Sequence, residues 1–139
     1  MQPFLEDVAV GQELPTVVKR PNLMQMVRWA GASENLHPVH YDPEVIKASG
    51  VPDALVHGRL KAAFVAEVVT SWMGEGGSLR KLSLRFLGMD FPRQEMVCRG
   101  RVTDKSESGV ECEVWLENPR GEVTVRGTAL VSLPRRTGP

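Results

Sequence analysis

Apolar residues recur with a helical period in the first half of the chain and with a period of two in the second. Asn22 can cap a short helix in which Leu23, Met26, Val27 and Ala30 fall on one stripe. Periodicity then gives out between Gly31 and His57, a stretch dense in Pro, Gly, Asp, Asn and His. A run of that length inside a compact domain is more often functional than idle. Gly58 opens a second apolar helix, spanning roughly Arg59 to Trp72. Leu60, Ala63, Phe64, Val68 and Trp72 can share one face, and Ala62, Val65, Ala66 and Val69 are also small or apolar. It is broken mainly by Lys61, Glu67 and Thr70, so the helix is expected to be buried against a sheet. The Gly-Glu-Gly-Gly run at 74–77 ends it.

From Ser78 onward apolar positions alternate: Leu82, Leu84, Phe86; then Met96, Cys98, Gly100, Val102; then Val110, Cys112, Val114, Leu116; then Val123, Val125, Gly127, Ala129, Val131. The breaks fall at Asp90-Phe91-Pro92, at 105–109 and at Asn118-Pro119-Arg120-Gly121, which read as turns between antiparallel strands. An earlier strand is expected near Thr16 to Lys19. The class is α+β, with an antiparallel sheet wrapped around the buried helix, because the apolar face of each needs the other.

With 139 residues the chain is the size of one domain, expected to occupy 1–134 and to end in a loose tail at 135–139. The formal net charge is zero and Lys and Arg are scattered, which disfavours a nucleic-acid partner. A small anionic ligand needs only a local basic patch, so it stays open. No secretory signal or membrane-length apolar run is visible, and a cytoplasmic location is expected by default. Cys98 and Cys112 are isolated and fit no common zinc spacing, so no metal site is expected. Buried free thiols are the reading preferred, although paired strands could bring the two together in a disulfide.

All three histidines, His37, His40 and His57, lie in the irregular stretch, among Ser33, Glu34, Asn35, Tyr41 and Asp42. Imidazole exchanges protons near neutrality, which suits acid–base chemistry. The plainer alternative is that such side chains hydrogen-bond the loop together. The second feature is Val56-His57-Gly58-Arg59 at the start of the buried helix. A helix start offers unpaired N–H groups and partial positive charge, and Gly lets a ligand approach them closely. Such a place can polarise a thioester carbonyl and hold an enolate oxygen. Tight packing of the Gly against a strand would explain it equally well.

Ser33-Glu34-Asn35-Leu36-His37-Pro38-Val39-His40-Tyr41-Asp42 resembles the S-x-D-x-N-P-x-H-x-D motif of MaoC-like hydratases and dehydratases, which include (R)-specific enoyl-CoA hydratases. Val56-His57-Gly58 resembles their following I/V-x-H-G segment, and Leu82–Phe86 and Ala129–Pro134 resemble later strands. The resemblance implies a hot-dog fold, an acyl-CoA or acyl-carrier thioester as substrate, no separate cofactor, and a homodimer or higher homo-oligomer. It also implies hydration of enoyl thioesters or dehydration of 3-hydroxyacyl thioesters. His40 matches the catalytic His and Gly58 the oxyanion Gly. The motif's Asp is replaced by Asn35, and its Asn by His37. An amide has no usable proton equilibrium near neutrality. The segment is similar to the N-x-H-x-x-H-Y-D version in mesaconyl- or itaconyl-CoA hydratases and some 3-hydroxyacyl-thioester dehydratases. On that likeness His40 is the principal acid/base, His37 tunes or shares the proton and Asn35 orients water.

Ser33, His57, Arg59 and Tyr41 are expected to contact substrate. Arg59 stands where the family has an apolar residue, and can meet an acyl carboxylate or a CoA phosphate. Arg85 and Arg93 are further phosphate candidates. Glu34, the nearest carboxylate in sequence, should point away from the Asn35 side chain on a regular backbone. Two other functions fit: a non-catalytic subunit paired with another hot-dog chain, and a thioesterase using Glu67, the one acid well inside the central helix.

Overall fold

Five antiparallel strands curl around one fifteen-residue helix in the computed structural model, which describes residues 1–137. A 3₁₀ turn (Leu5–Asp7) is followed by β1 (Val17–Lys19) and α1 (Leu23–Ser33). A second 3₁₀ turn (Pro38–His40), α2 (Pro43–Ala48) and α3 (Gly58–Trp72) come next, then β2 (Ser78–Phe86), β3 (Met96–Ser106), β4 (Gly109–Glu117) and β5 (Val123–Ser132). The sheet order is β1-β3-β4-β5-β2, with every pairing antiparallel. The alternating apolar positions of β3, β4 and β5 point inward and form one cluster with Val65, Val68 and Val69 of α3. This is the hot-dog arrangement.

Two glycines let the layers close. A Cβ at Gly100 of β3 would stand 2.9 Å from Val68 of α3, so glycine there lets the helix settle onto the sheet. A Cβ at Gly127 would lie 1.8 Å from the Ser83 carbonyl oxygen, a position only glycine fills beside β2.

Several expectations need correction. The α1 stripe divides: Met26 and Ala30 are buried, but Leu23 and Val27 are exposed beside Met24. Only one edge of α1 meets the core, so a stripe as broad as the sequence allows is not used. On α3, Ala63 faces out, whereas Lys61 is buried with Leu60, Phe64, Val65, Val68 and Val69. The irregular stretch contains the end of α1, a 3₁₀ turn and α2, whose N-cap Asp42 accepts a hydrogen bond from the Glu44 N–H at 3.0 Å.

The expected loose tail is fastened in its described part. The Arg136 guanidinium donates to Asp7 at 2.6 Å and lies 4.9 Å from the Phe4 ring centroid. Residues 138–139 lie outside the described residues. Cys98 and Cys112 are both free and buried. Their strands pair, but Cys98 sits opposite Leu116 and Cys112 opposite Val102, so register keeps the sulfurs from bonding. Burial pushes the thiols up to about 12 and about 11 respectively. Among the described residues no helix is long and apolar enough to cross a membrane.

Candidate active site

The irregular stretch is held in shape by its own polar side chains. Ser33 ends α1 by donating its hydroxyl to the Trp29 carbonyl at 2.6 Å. Glu34 then takes a left-handed conformation (φ 58°), which turns the chain sharply, and Asn35 follows. His37 caps the second 3₁₀ turn: its Nδ1 accepts from the Val39 N–H at 3.1 Å. The Tyr41 hydroxyl donates to the Leu36 carbonyl at 2.7 Å. The hydroxyls of Ser33 and Tyr41, both expected at the substrate, thus bond backbone carbonyls of α1 and of the motif loop respectively.

His40 stands differently. Its Nδ1 lies 2.6 Å from the Leu55 carbonyl oxygen. A carbonyl only accepts, so this nitrogen carries the proton and Nε2 of the neutral ring keeps its lone pair free. The His40 ring stacks on His57, with centroids 3.7 Å apart and planes 20° from parallel. His37 meets His40 edge-on at 6.2 Å. His57 Nε2 donates to the Asn35 carbonyl at 3.3 Å, which ties the motif loop to the start of α3. The Asn35 side-chain amide has no hydrogen-bond partner among the described residues, so it is free to hold a water or a substrate oxygen.

His57 is fully enclosed beneath His40, and its Nδ1 has no partner in the protein. This gives it the place of a support rather than a contact surface. Burial, and then the neighbouring His40, hold its imidazole below the ordinary value. The sign of the linkage follows. Below the ordinary imidazole pKa of about 6.5 the unfolded chain binds a proton that native His57 refuses. Stability should therefore fall as pH drops through that value, and level off only beneath the native pKa. Comparing the thermal midpoint of His57→Phe with that of the unaltered chain from pH 7.5 to 5 should show a shallower loss in the variant. Parallel curves would mean that His57 contributes nothing to acid sensitivity.

The first turn of α3 is the second half of the site. His57 occupies the N-cap position but supplies no side-chain cap, and the turn has no acidic residue. Its leading N–H groups are therefore available, with the positive end of the helix behind them. The nearest atoms to a Cβ at Gly58 belong to the Phe86 ring, at 3.6 Å, an ordinary contact. Packing within the chain does not demand glycine here, which favours the reading that a ligand approaches this backbone. Arg59, next in the turn, is exposed and forms no ion pair among the described residues.

Other candidates lie elsewhere or are occupied. Arg93 pairs with Asp53 at 3.0 Å and has a left-handed backbone (φ 65°). Arg85 is exposed on β2. Glu67 pairs with Lys19 of β1 at 2.5 Å, about two and a half turns from Gly58, which leaves the thioesterase reading without a carboxylate at the helix start. Among the described residues no group of three or more His, Cys, Asp or Glu is placed to hold a metal ion. Lys61 and Asp90, a buried pair flanking the helix start, were not singled out by the sequence. The available signals were a lone cation in an apolar run and an acid just before a Phe-Pro turn.

A curled antiparallel sheet around a central helix, with an uncapped helix start beside a histidine with a free ring nitrogen, defines a hot-dog fold with a candidate acid–base site. The family described as "MaoC like domain" matches residues 4–119, and the chain belongs to the MaoC-like hydratase/dehydratase family. It is 26% identical over 134 residues to the (R)-specific enoyl-CoA hydratase of Aeromonas caviae, covering 93% of this chain and 98% of that protein. The solved structure of the A. caviae (R)-hydratase involved in PHA biosynthesis superposes with a TM-score of 0.86 over 93% of this chain and 99% of that one, at 26% identity. A MaoC-like dehydratase from Rhodospirillum rubrum gives 0.83 at 26% identity, covering 98% and 99%. Fatty acid synthase β subunits of Cochliobolus carbonum and Aspergillus oryzae match at 29% over 70 residues and 31% over 85. The chain spans only 3% and 4% of their lengths.

Proposed function

We propose that the chain is a hydro-lyase that interconverts enoyl and 3-hydroxyacyl thioesters, with His40 as acid/base and the Gly58 N–H in the oxyanion site. The observation that carries this reading is the 2.6 Å contact from His40 Nδ1 to the Leu55 carbonyl, which leaves Nε2 as a free base beside the α3 start. In hydration, His40 Nε2 takes a proton from a water held by Asn35 as the water oxygen bonds to C3. Charge moves through C2 to the thioester oxygen, where the α3 N–H groups stabilise it. C2 then takes the proton back from the His40 imidazolium, and the double bond is consumed. Dehydration is the same path reversed. His37, edge-on to His40, tunes or shares the proton. No cofactor enters this chemistry. Residues 1–134 act as one domain. The assembly is a homodimer or higher homo-oligomer, to which the exposed Leu23, Met24 and Val27 of α1 offer apolar surface. Incubation of the purified chain with crotonyl-CoA should lower the enoyl thioester absorbance. A folded chain inactive on every enoyl thioester offered would end this reading.

A second reading is favoured by Asn35, which stands where the family's motif has Asp. The chain would then be an acyl-thioester-binding subunit that leaves catalysis to a partner hot-dog chain carrying both Asp and His. Co-purification with such a chain supports it, and an active homodimer removes it.

Arg59 supplies the specificity in this proposal. It is exposed, unpaired among the described residues and one position beyond Gly58, where it can meet a carboxylate on the acyl group. Arg59→Leu should weaken use of dicarboxylic enoyl-CoA about tenfold relative to crotonyl-CoA, on the scale of one exposed charge-assisted contact. An unchanged ratio of the two kcat/KM values would assign the cation elsewhere.

A further inference from the structure

Lys61 is the fourth residue of α3, yet it is 3% exposed. Its ammonium donates to the Gly88 carbonyl at 2.9 Å and to Asp90 Oδ2 at 3.0 Å. Asp90 is 1% exposed, and the same Oδ2 accepts the Thr124 hydroxyl at 2.5 Å. Asp90 Oδ1 has no partner in the protein. A buried ion pair with an unsatisfied oxygen is a poor stabiliser, because desolvating two charges offsets their attraction and apolar isosteres often do as well. Its contacts show what it arranges. The Asp90 carbonyl accepts the Val56 N–H at 2.9 Å, immediately before His57 and Gly58. The Thr124 carbonyl accepts the Leu87 N–H at 2.8 Å. Phe86, at the end of β2, holds the atoms nearest to a Cβ placed at Gly58.

The Lys61 and Val56 bonds link the start of α3 to Gly88–Asp90, and the Thr124 bonds tie that segment to β5. We infer that Lys61 and Asp90 are positioning residues: they fix the Val56–Gly58 corner against Phe86–Asp90, so that the Gly58 N–H is held where a thioester oxygen develops charge. The inference rests on the proposed oxyanion role of Gly58. A pre-set donor is effective because it does not reorganise during reaction. A corner loosened by a fraction of an ångström loses much of that effect.

The test is the double variant Lys61→Met/Asp90→Leu, which replaces both charges with apolar groups of similar size. A thermal midpoint within a few degrees of the unaltered chain, a kcat for crotonyl-CoA lowered about 10- to 100-fold and a KM changed less than threefold are expected. Amide exchange supplies a readout that needs no substrate. The Val56 N–H should lose at least tenfold protection while β4 amides keep theirs. Lys61→Arg, which keeps the charge, should recover part of both. A folded double variant with unaltered kcat and Val56 protection would overturn the inference. If the double variant does not fold, Thr124→Val decides: a threefold or greater loss of kcat with faster Val56 exchange supports the inference, and no change in either rejects it. Failure of the unaltered chain on enoyl thioesters would refute the proposed function alone, and the exchange measurement would still judge the pair.

Discussion

Replacing His40 with alanine should lower kcat for crotonyl-CoA hydration by about 10²- to 10⁴-fold, the usual range for loss of a positioned acid/base. The imidazole supplies the free Nε2, and no other histidine can take its place. His57 is enclosed, and its Nε2 is committed to the Asn35 carbonyl. His37 commits Nδ1 to the Val39 N–H and lies 6.2 Å from His40, centroid to centroid. The stability cost should be modest, about 1 kcal/mol, because one hydrogen bond to the Leu55 carbonyl and one half-buried ring are lost. Steady-state kinetics beside a thermal melt separate the two. A His40→Ala protein that melts normally and keeps a tenth of its activity would move the base to another residue.

Gly58→Ala should cost activity without costing stability. The nearest neighbour of the added methyl is the Phe86 ring at 3.6 Å, and Phe86 is itself half exposed and can move aside. Alanine is the better helix former by about 1 kcal/mol in a helix interior, so the melt should stay level or rise. In the proposed mechanism the same methyl stands in the path by which a thioester oxygen approaches the helix start. Loss of that approach should reduce kcat by about 10²- to 10³-fold, the scale of losing one oxyanion donor. A variant with full activity would mean that the carbonyl binds elsewhere. A variant that unfolds would restore the packing explanation.

The alternating β3–β5 pattern and the all-round apolar helix were legible in the sequence because burial on one or every face leaves a periodic trace. The histidine window and Gly58 were legible because polar residue types crowd a stretch that a core element would not tolerate. What stayed hidden depends on long-range pairing. Lys61 reads as a solvent-facing break, since nothing local announces that Asp90, twenty-nine residues on, will neutralise it. The same holds for α1, where Leu23 and Val27 carry the right spacing but only Met26 and Ala30 of that stripe are buried. Ser33 and Tyr41 sit in the motif, yet their hydroxyls serve backbone carbonyls of Trp29 in α1 and Leu36 in the loop. A residue type alone does not tell which of two available partners it takes.

The buried thiols bear on how a chain with the proposed function would withstand a thioester. Thioesters exchange their acyl groups with thiolates, and a reactive cysteine near a thioester site would acylate the protein. Here Cys98 and Cys112 are shut inside the sheet, with pKa values of about 12 and about 11. Near neutrality both stay protonated and out of reach. Under the proposed function, the described chain therefore offers an acyl group no cysteine of its own to move to.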